Sequence, residues 1–153
     1  MESKTIDGVY VKRIVRHTDE RGYFAELFKR GEPGFHTIAQ TSYSLIKPGV
    51  VKAFHYHNYW ETWVVIEGSA KIVIYDTRDG SPTKGVTQII YARQDEPVVV
   101  SIPPNVAHGY KAIGEKECGM LYHAEEAYDP SRKDQIGTIP QDSADIGFDW
   151  SQE

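Results

Sequence analysis

Two histidines two residues apart, a carboxylate four residues further on and a third histidine downstream are the side chains of this sequence best suited to chemistry. They are His55, His57, Glu61 and His108. The first three lie in Gly49-Val-Val-Lys-Ala-Phe-His55-Tyr-His57-Asn-Tyr-Trp-Glu61, and the last closes Pro103-Pro-Asn-Val-Ala-His108. If residues 50–56 form a strand, side chains alternate with period two, and His55 and His57 point to one face. Three imidazoles and one carboxylate form a ligand set of borderline softness, suited to Zn, Fe, Ni or Mn. Because imidazole titrates near neutral pH, His55 is equally a candidate general base. The plainer alternatives are a polar, pocket-lining His57 and a Glu61 paired with a nearby lysine or arginine.

Strands must position these groups, because strand signals are dense along the chain. Residues 8–15, 23–28, 41–46, 50–56, 61–67, 70–76, 88–91, 98–102, 109–113 and 118–122 are short, β-branched or aromatic runs bounded by turn residues. Gly68-Ser69 reads as a tight hairpin between two of them. About ten short strands at close spacing imply an antiparallel sandwich or barrel. Residues 18–22 read as a turn, and residues 131–135 as one short turn. Residues 141–153 are polar with three apolar anchors, Ile146, Phe148 and Trp150, and read as a tail packed on the barrel. One domain, residues 1–153, is expected.

Composition narrows the function classes. Hydrophobic residues make up 40% and charged residues 25% of the chain, a globular balance. A net charge of −5 gives no footprint for nucleic acid or an anionic membrane. The lone Cys118 cannot form an intrachain disulfide and reads as a buried strand residue. No apolar run approaches the length of a membrane span, and Met1-Glu-Ser-Lys-Thr5 is not a signal peptide. A cytoplasmic protein is expected.

Two motifs carry a resemblance to known architecture. Gly49-x5-His55-x-His57-x3-Glu61-x6-Gly68 matches the first cupin motif at every fixed position, and Pro103-x-Asn105-x2-His108 resembles the second. A cupin is an all-β jelly-roll barrel (a double-stranded β-helix). A closer resemblance runs from about residue 19 to residue 130. Asp19-Glu-Arg21-Gly22-Tyr-Phe24-Ala-Glu26, Gln40-Thr-Ser-Tyr-Ser44, Tyr75-Asp-Thr-Arg78-Asp-Gly-Ser81-Pro82 and Tyr122-His-Ala-Glu-Glu-Ala-Tyr128-Asp-Pro130 are similar to the dTDP-4-dehydrorhamnose 3,5-epimerase family.

That resemblance implies a homodimeric enzyme that needs no metal. Such an enzyme removes protons alpha to the C4 ketone of a dTDP-linked 4-keto-6-deoxy sugar and returns them to the opposite face. It implies His55 as the base and Tyr122 as the acid. It implies Arg21, Phe24 and Glu26 as nucleotide contacts, often reaching in from the partner subunit. Gln40, His108 and Tyr128 would line the pocket, and Arg21, Lys52 and Arg78 would meet phosphate.

Three departures stand out. Glu61 occupies a position where the family keeps a lysine. Lys52 replaces an arginine, trading a bidentate fork for a point charge. The family's aspartate that orients the base belongs to a C-terminal segment beyond the expected end at Glu153, which leaves Asp142, Asp145 or Asp149 as substitutes. Two other readings remain open: a metal-dependent isomerase or dioxygenase using His55, His57, Glu61 and His108, and a non-catalytic sugar-binding cupin.

Overall fold

Alternating apolar residues build twelve strands in the computed structural model, which describes residues 4–153. They are β1 (Tyr10–Arg13), β2 (His17–Asp19), β3 (Gly22–Phe24), β4 (Gln40–Ile46), β5 (Val51–His57) and β6 (Glu61–Glu67), then β7 (Ser69–Asp76), β8 (Thr87–Ala92), β9 (Val98–Ile102), β10 (Val106–Ile113), β11 (Cys118–Ala124) and β12 (Ile136–Thr138). No helix occurs among the described residues. Two five-stranded sheets have the orders β1-β9-β6-β11-β4 and β12-β5-β10-β7-β8, with β2-β3 as a separate hairpin. Every pairing is antiparallel. The result is the expected all-β jelly roll of the cupin double-stranded β-helix.

The inner faces of both sheets form the main core. Ile72 and Ile74 of β7, Val100 and Ile102 of β9, Val106 of β10 and Met120 of β11 are at most 1% exposed. Fully burying such a side chain stabilises the fold by roughly 1.5–3 kcal/mol. A second cluster lies behind the second sheet. There Phe54, Val73 and Ala107 pack under Trp150, with Ile146 and Phe148 alongside. The tail is fastened at its end by Lys111 Nζ donating to the Trp150 carbonyl at 2.9 Å and Lys71 Nζ to that of Gln152 at 3.3 Å. The tail therefore covers one sheet, as its three apolar anchors indicated, and buries β7 on both faces.

The hairpin expected at Gly68-Ser69 does not form. β6 pairs with β9 and β11, whereas β7 pairs with β10 and β8. Gly68 instead carries the chain from one sheet to the other. Its φ is +65°, and a Cβ there would sit 2.1 Å from the Glu117 carbonyl oxygen, so only glycine fits. Two adjacent apolar strands with a glycine between them look alike in sequence whether the chain turns back or crosses over. The strand expected at 23–28 also stops early. Beyond Phe24 the chain leaves the hairpin, and Phe28 stacks on Phe35 at 4.8 Å instead.

One irregularity shapes the site. In the β5–β10 ladder His55 partners His108, but Lys52 partners Tyr110, so β5 carries one extra residue between them. Strict alternation would send Lys52 to the face opposite His55. The bulge returns both to the cavity.

Candidate active site

A cavity of about 460 Å³ opens between the two sheets, within the range of roughly 300–1,000 Å³ typical of small-molecule sites. β5 and β10 of one sheet bring Lys52, His55, His57 and His108 to it. β6, β11 and β4 of the other bring Glu61, Trp63, Tyr122 and Gln40. His55 and Tyr122 thus stand on opposite sheets of one cavity. Tyr128 lies at its edge, 54% exposed, and its backbone N–H donates to Gln40 Oε1 at 2.8 Å.

The His55 imidazole has no hydrogen-bond partner among the described residues. Burial, with the Lys52 charge adding to it, holds its pKa below the usual histidine value. It is therefore a neutral imidazole at neutral pH, able to accept a proton. His108 is fully enclosed, and burial followed by the nearby His57 pushes its pKa well down. Its Nδ1–H donates to the Val106 carbonyl at 3.0 Å, which leaves Nε2 as a bare acceptor.

Glu61 and Trp63, two apart on β6, share a face. The indole Nε1–H donates to Glu61 Oε1 at 2.5 Å. The other carboxyl oxygen lies 3.1 Å from His57 Nε2. Burial, partly offset by Trp63, raises Glu61 to about 7. Burial, then the neighbouring His55, lowers His57 to about 4. Both directions favour an uncharged pair, a protonated carboxyl beside a neutral imidazole. The remaining nitrogen, His57 Nδ1, is buried without a partner. The His57 ring packs against those of His108 and Tyr59, at 5.0 and 4.9 Å.

Ligand atoms of His57, Glu61 and His108 lie within 4.8 Å of one another and are, among the described residues, the group that could hold a metal. His55 does not join them, so the four-ligand set reduces to three. Two of those three are already hydrogen-bonded to each other.

Other sequence-derived candidates lie elsewhere. Arg21, Phe24 and Glu26 are on or next to the exposed β2–β3 hairpin, away from this cavity. There Arg21 Nη2 pairs with Asp19 at 2.5 Å and Glu26 with Lys29 at 3.5 Å. Arg78 does not reach the cavity either. Its guanidinium grips the fully buried Asp76 at 2.9 and 3.0 Å and donates to the Asp7 carbonyl at 2.6 Å, tying the turn after β7 to the N-terminal segment. Asp142, Asp145 and Asp149 are also absent from the cavity lining, because the tail lies behind Phe54 on the outer side of the sheet.

Tyr59 was not singled out by sequence. It lies in the irregular link between β5 and β6, is 4% exposed and lines the cavity. Burial first, then Glu61, pushes its phenol up to about 12. Its nearness to His57 and Glu61 was the only sequence signal available.

Comparison with known proteins places the chain in a family and matches its fold. The sequence profile of the family described as dTDP-4-dehydrorhamnose 3,5-epimerase matches residues 3–153. The spore coat polysaccharide biosynthesis protein SpsL of Bacillus subtilis (strain 168) is 42% identical over 149 residues, covering 97% of this chain and 98% of that one. A dTDP-4-dehydrorhamnose 3,5-epimerase of Methanothermobacter thermautotrophicus is 31% identical over 156 residues, covering 97% and 82%. Among solved structures, the dTDP sugar isomerase from Desulfovibrio desulfuricans G20 superposes with a TM-score of 0.85 at 25% identity, covering 97% of this chain and 94% of that one.

Proposed function

The chain belongs to the dTDP-4-dehydrorhamnose 3,5-epimerase family, and we propose on that premise that it epimerises a dTDP-linked 4-keto-6-deoxyhexose by proton transfer at carbon alpha to the ketone. The observation that carries this reading is the placement of His55 and Tyr122 on opposite sheets of one cavity. A base on one side of a flat enolate and an acid on the other is the arrangement that inversion needs.

The His55 imidazole, neutral and without a hydrogen-bond partner among the described residues, takes the alpha proton; the C–H electron pair moves into the new C=C bond and the ketone oxygen gains charge. Tyr122 then delivers a proton to the opposite face. Proton abstraction by a positioned base contributes about 10²–10⁴-fold. Lys52, whose Nζ rests on Ser44 Oγ at 2.9 Å, keeps two donors for a phosphate oxygen. Gln40, His108 and Tyr128 shape the rest of the pocket.

The chemistry is assigned to side chains alone. Supporting this, the Glu61 oxygens are occupied by Trp63 and His57. The proposal extends to a single-domain, cytoplasmic homodimer. Tyr23 and Phe24 on the hairpin are 62% and 64% exposed, and Val11 and Val15 add apolar surface nearby. A second copy covering that surface would bring Arg21, Phe24 and Glu26 into use. Incubating the protein with dTDP-4-keto-6-deoxyglucose in D₂O and following the sugar by NMR tests the function. Deuterium at an alpha carbon with inverted configuration supports it, and an unlabelled, unchanged sugar refutes it.

A further inference from the structure

An enolate needs a hydrogen-bond donor aimed at the oxygen where charge develops, and the cavity offers few. Trp63 Nε1–H is committed to Glu61. Tyr110 donates its hydroxyl to Ser44 Oγ at 3.3 Å. The one N–H of neutral His108 is spent on the Val106 carbonyl. The side-chain amide of Gln40 donates one of its two hydrogens to Ser42 Oγ at 3.2 Å. Glu61 holds its hydrogen bonds within the His57–Trp63 group, and His57 Nδ1 is closed off. Lys52 keeps its two donors for phosphate, and Ser44 and Gln40 each keep one hydrogen beyond the bonds they already hold. Two phenols of the lining, Tyr59 and Tyr122, have hydroxyls with no hydrogen-bond partner at all among the described residues. Tyr122 is already assigned to protonating carbon.

We propose that Tyr59 is a further catalytic residue, whose hydroxyl donates the hydrogen bond to the substrate's keto oxygen and holds it as the enolate forms. The proposal rests on the epimerase reading. Its position supports it. The ring is enclosed on all but 4% of its surface and packs on His57 at 4.9 Å, so the hydroxyl is presented from a fixed ring rather than a mobile side chain. A donor fixed before the reaction costs no reorganisation when charge appears. The bookkeeping closes without a further reactant. The alpha proton goes to His55, the C–H pair becomes the C=C bond, and the C=O pair moves onto the oxygen that Tyr59 bonds. Reprotonation at carbon by Tyr122 reverses the flow.

Tyr59→Phe removes only the hydroxyl. It should lower kcat on the order of 10²–10³-fold, as loss of one such donor does elsewhere, with KM and dTDP affinity close to wild type. An unchanged kcat, or a loss confined to KM, overturns the role. A second readout does not depend on turnover: the carbonyl stretch of bound keto sugar in His55→Asn should lie below its solution value and return toward it in His55→Asn/Tyr59→Phe. A carbonyl stretch in His55→Asn that matches free solution overturns the proposal even if Y59F fails to fold. Wild-type protein that exchanges no alpha proton overturns the epimerase reading itself, and Tyr59's role with it.

Discussion

His57 Nε2 lies 3.1 Å from Glu61 Oε2, and among the described residues no lysine or arginine pairs with Glu61; Lys52, which also lines the cavity, rests on Ser44 instead. A buried carboxyl without a cation keeps its proton. Glu61 therefore titrates near 7 in the fold against an ordinary value of 4.5. Between those values the folded chain holds a proton that the unfolded chain has lost, so raising the pH destabilises the fold through Glu61. His57 acts in the opposite sense between 6.5 and about 4, because the unfolded chain there binds the extra proton.

Glu61→Gln isolates the carboxyl, since Gln still accepts from Trp63 and donates to His57. The stability of the variant relative to wild type should grow as pH rises from 4.5 to 7 and then level off. The full span is about 3 kcal/mol at most. Chemical denaturation at pH 4.5, 6 and 7.5 measures it. A constant difference across that range would show that Glu61 is ionised throughout.

Arg78→Ala should destabilise the fold by about 3 kcal/mol, because it leaves the buried Asp76 carboxylate without its cation. Turnover and KM of the fraction that stays folded should match wild type. A raised KM at unchanged stability would return Arg78 to phosphate binding.

Trp150→Ala should cost about 3–5 kcal/mol, the usual loss for truncating a packed tryptophan. Trp150 lies 5.6 Å from the fully buried Phe54, which adjoins His55 on β5. Thermal denaturation would reveal the loss, and a wild-type melting temperature would mean that the tail is not fastened as described.

Dialysis against a strong chelator should leave epimerisation intact. Activity that disappears and returns on adding Zn²⁺ or Mn²⁺ alone would instead assign His57, Glu61 and His108 to a metal.

Much of this was legible from sequence. β6 and β9 match their expected bounds because their apolar runs end sharply at Gly68 and Pro103. His55 and His57 share the cavity as period two requires. Lys52 reaches it only through the bulge in β5, which strict alternation would have hidden. The crossover at Gly68 was hidden because partner choice depends on distant strands. Tyr59 was missed because it lies in an irregular link, where no periodicity tells which way a side chain points. Arg78 shows the converse: a family signature placed it near phosphate, while the fully buried Asp76 two residues before it takes up its guanidinium.

The division of labour between His55 and Tyr122 is the centre of the account, and solvent exchange in D₂O measures it most directly. Tyr122→Phe should still exchange the alpha proton through His55 while losing inversion, and His55→Asn should lose both. Exchange that persists in His55→Asn, or inversion that persists in Tyr122→Phe, would contradict it.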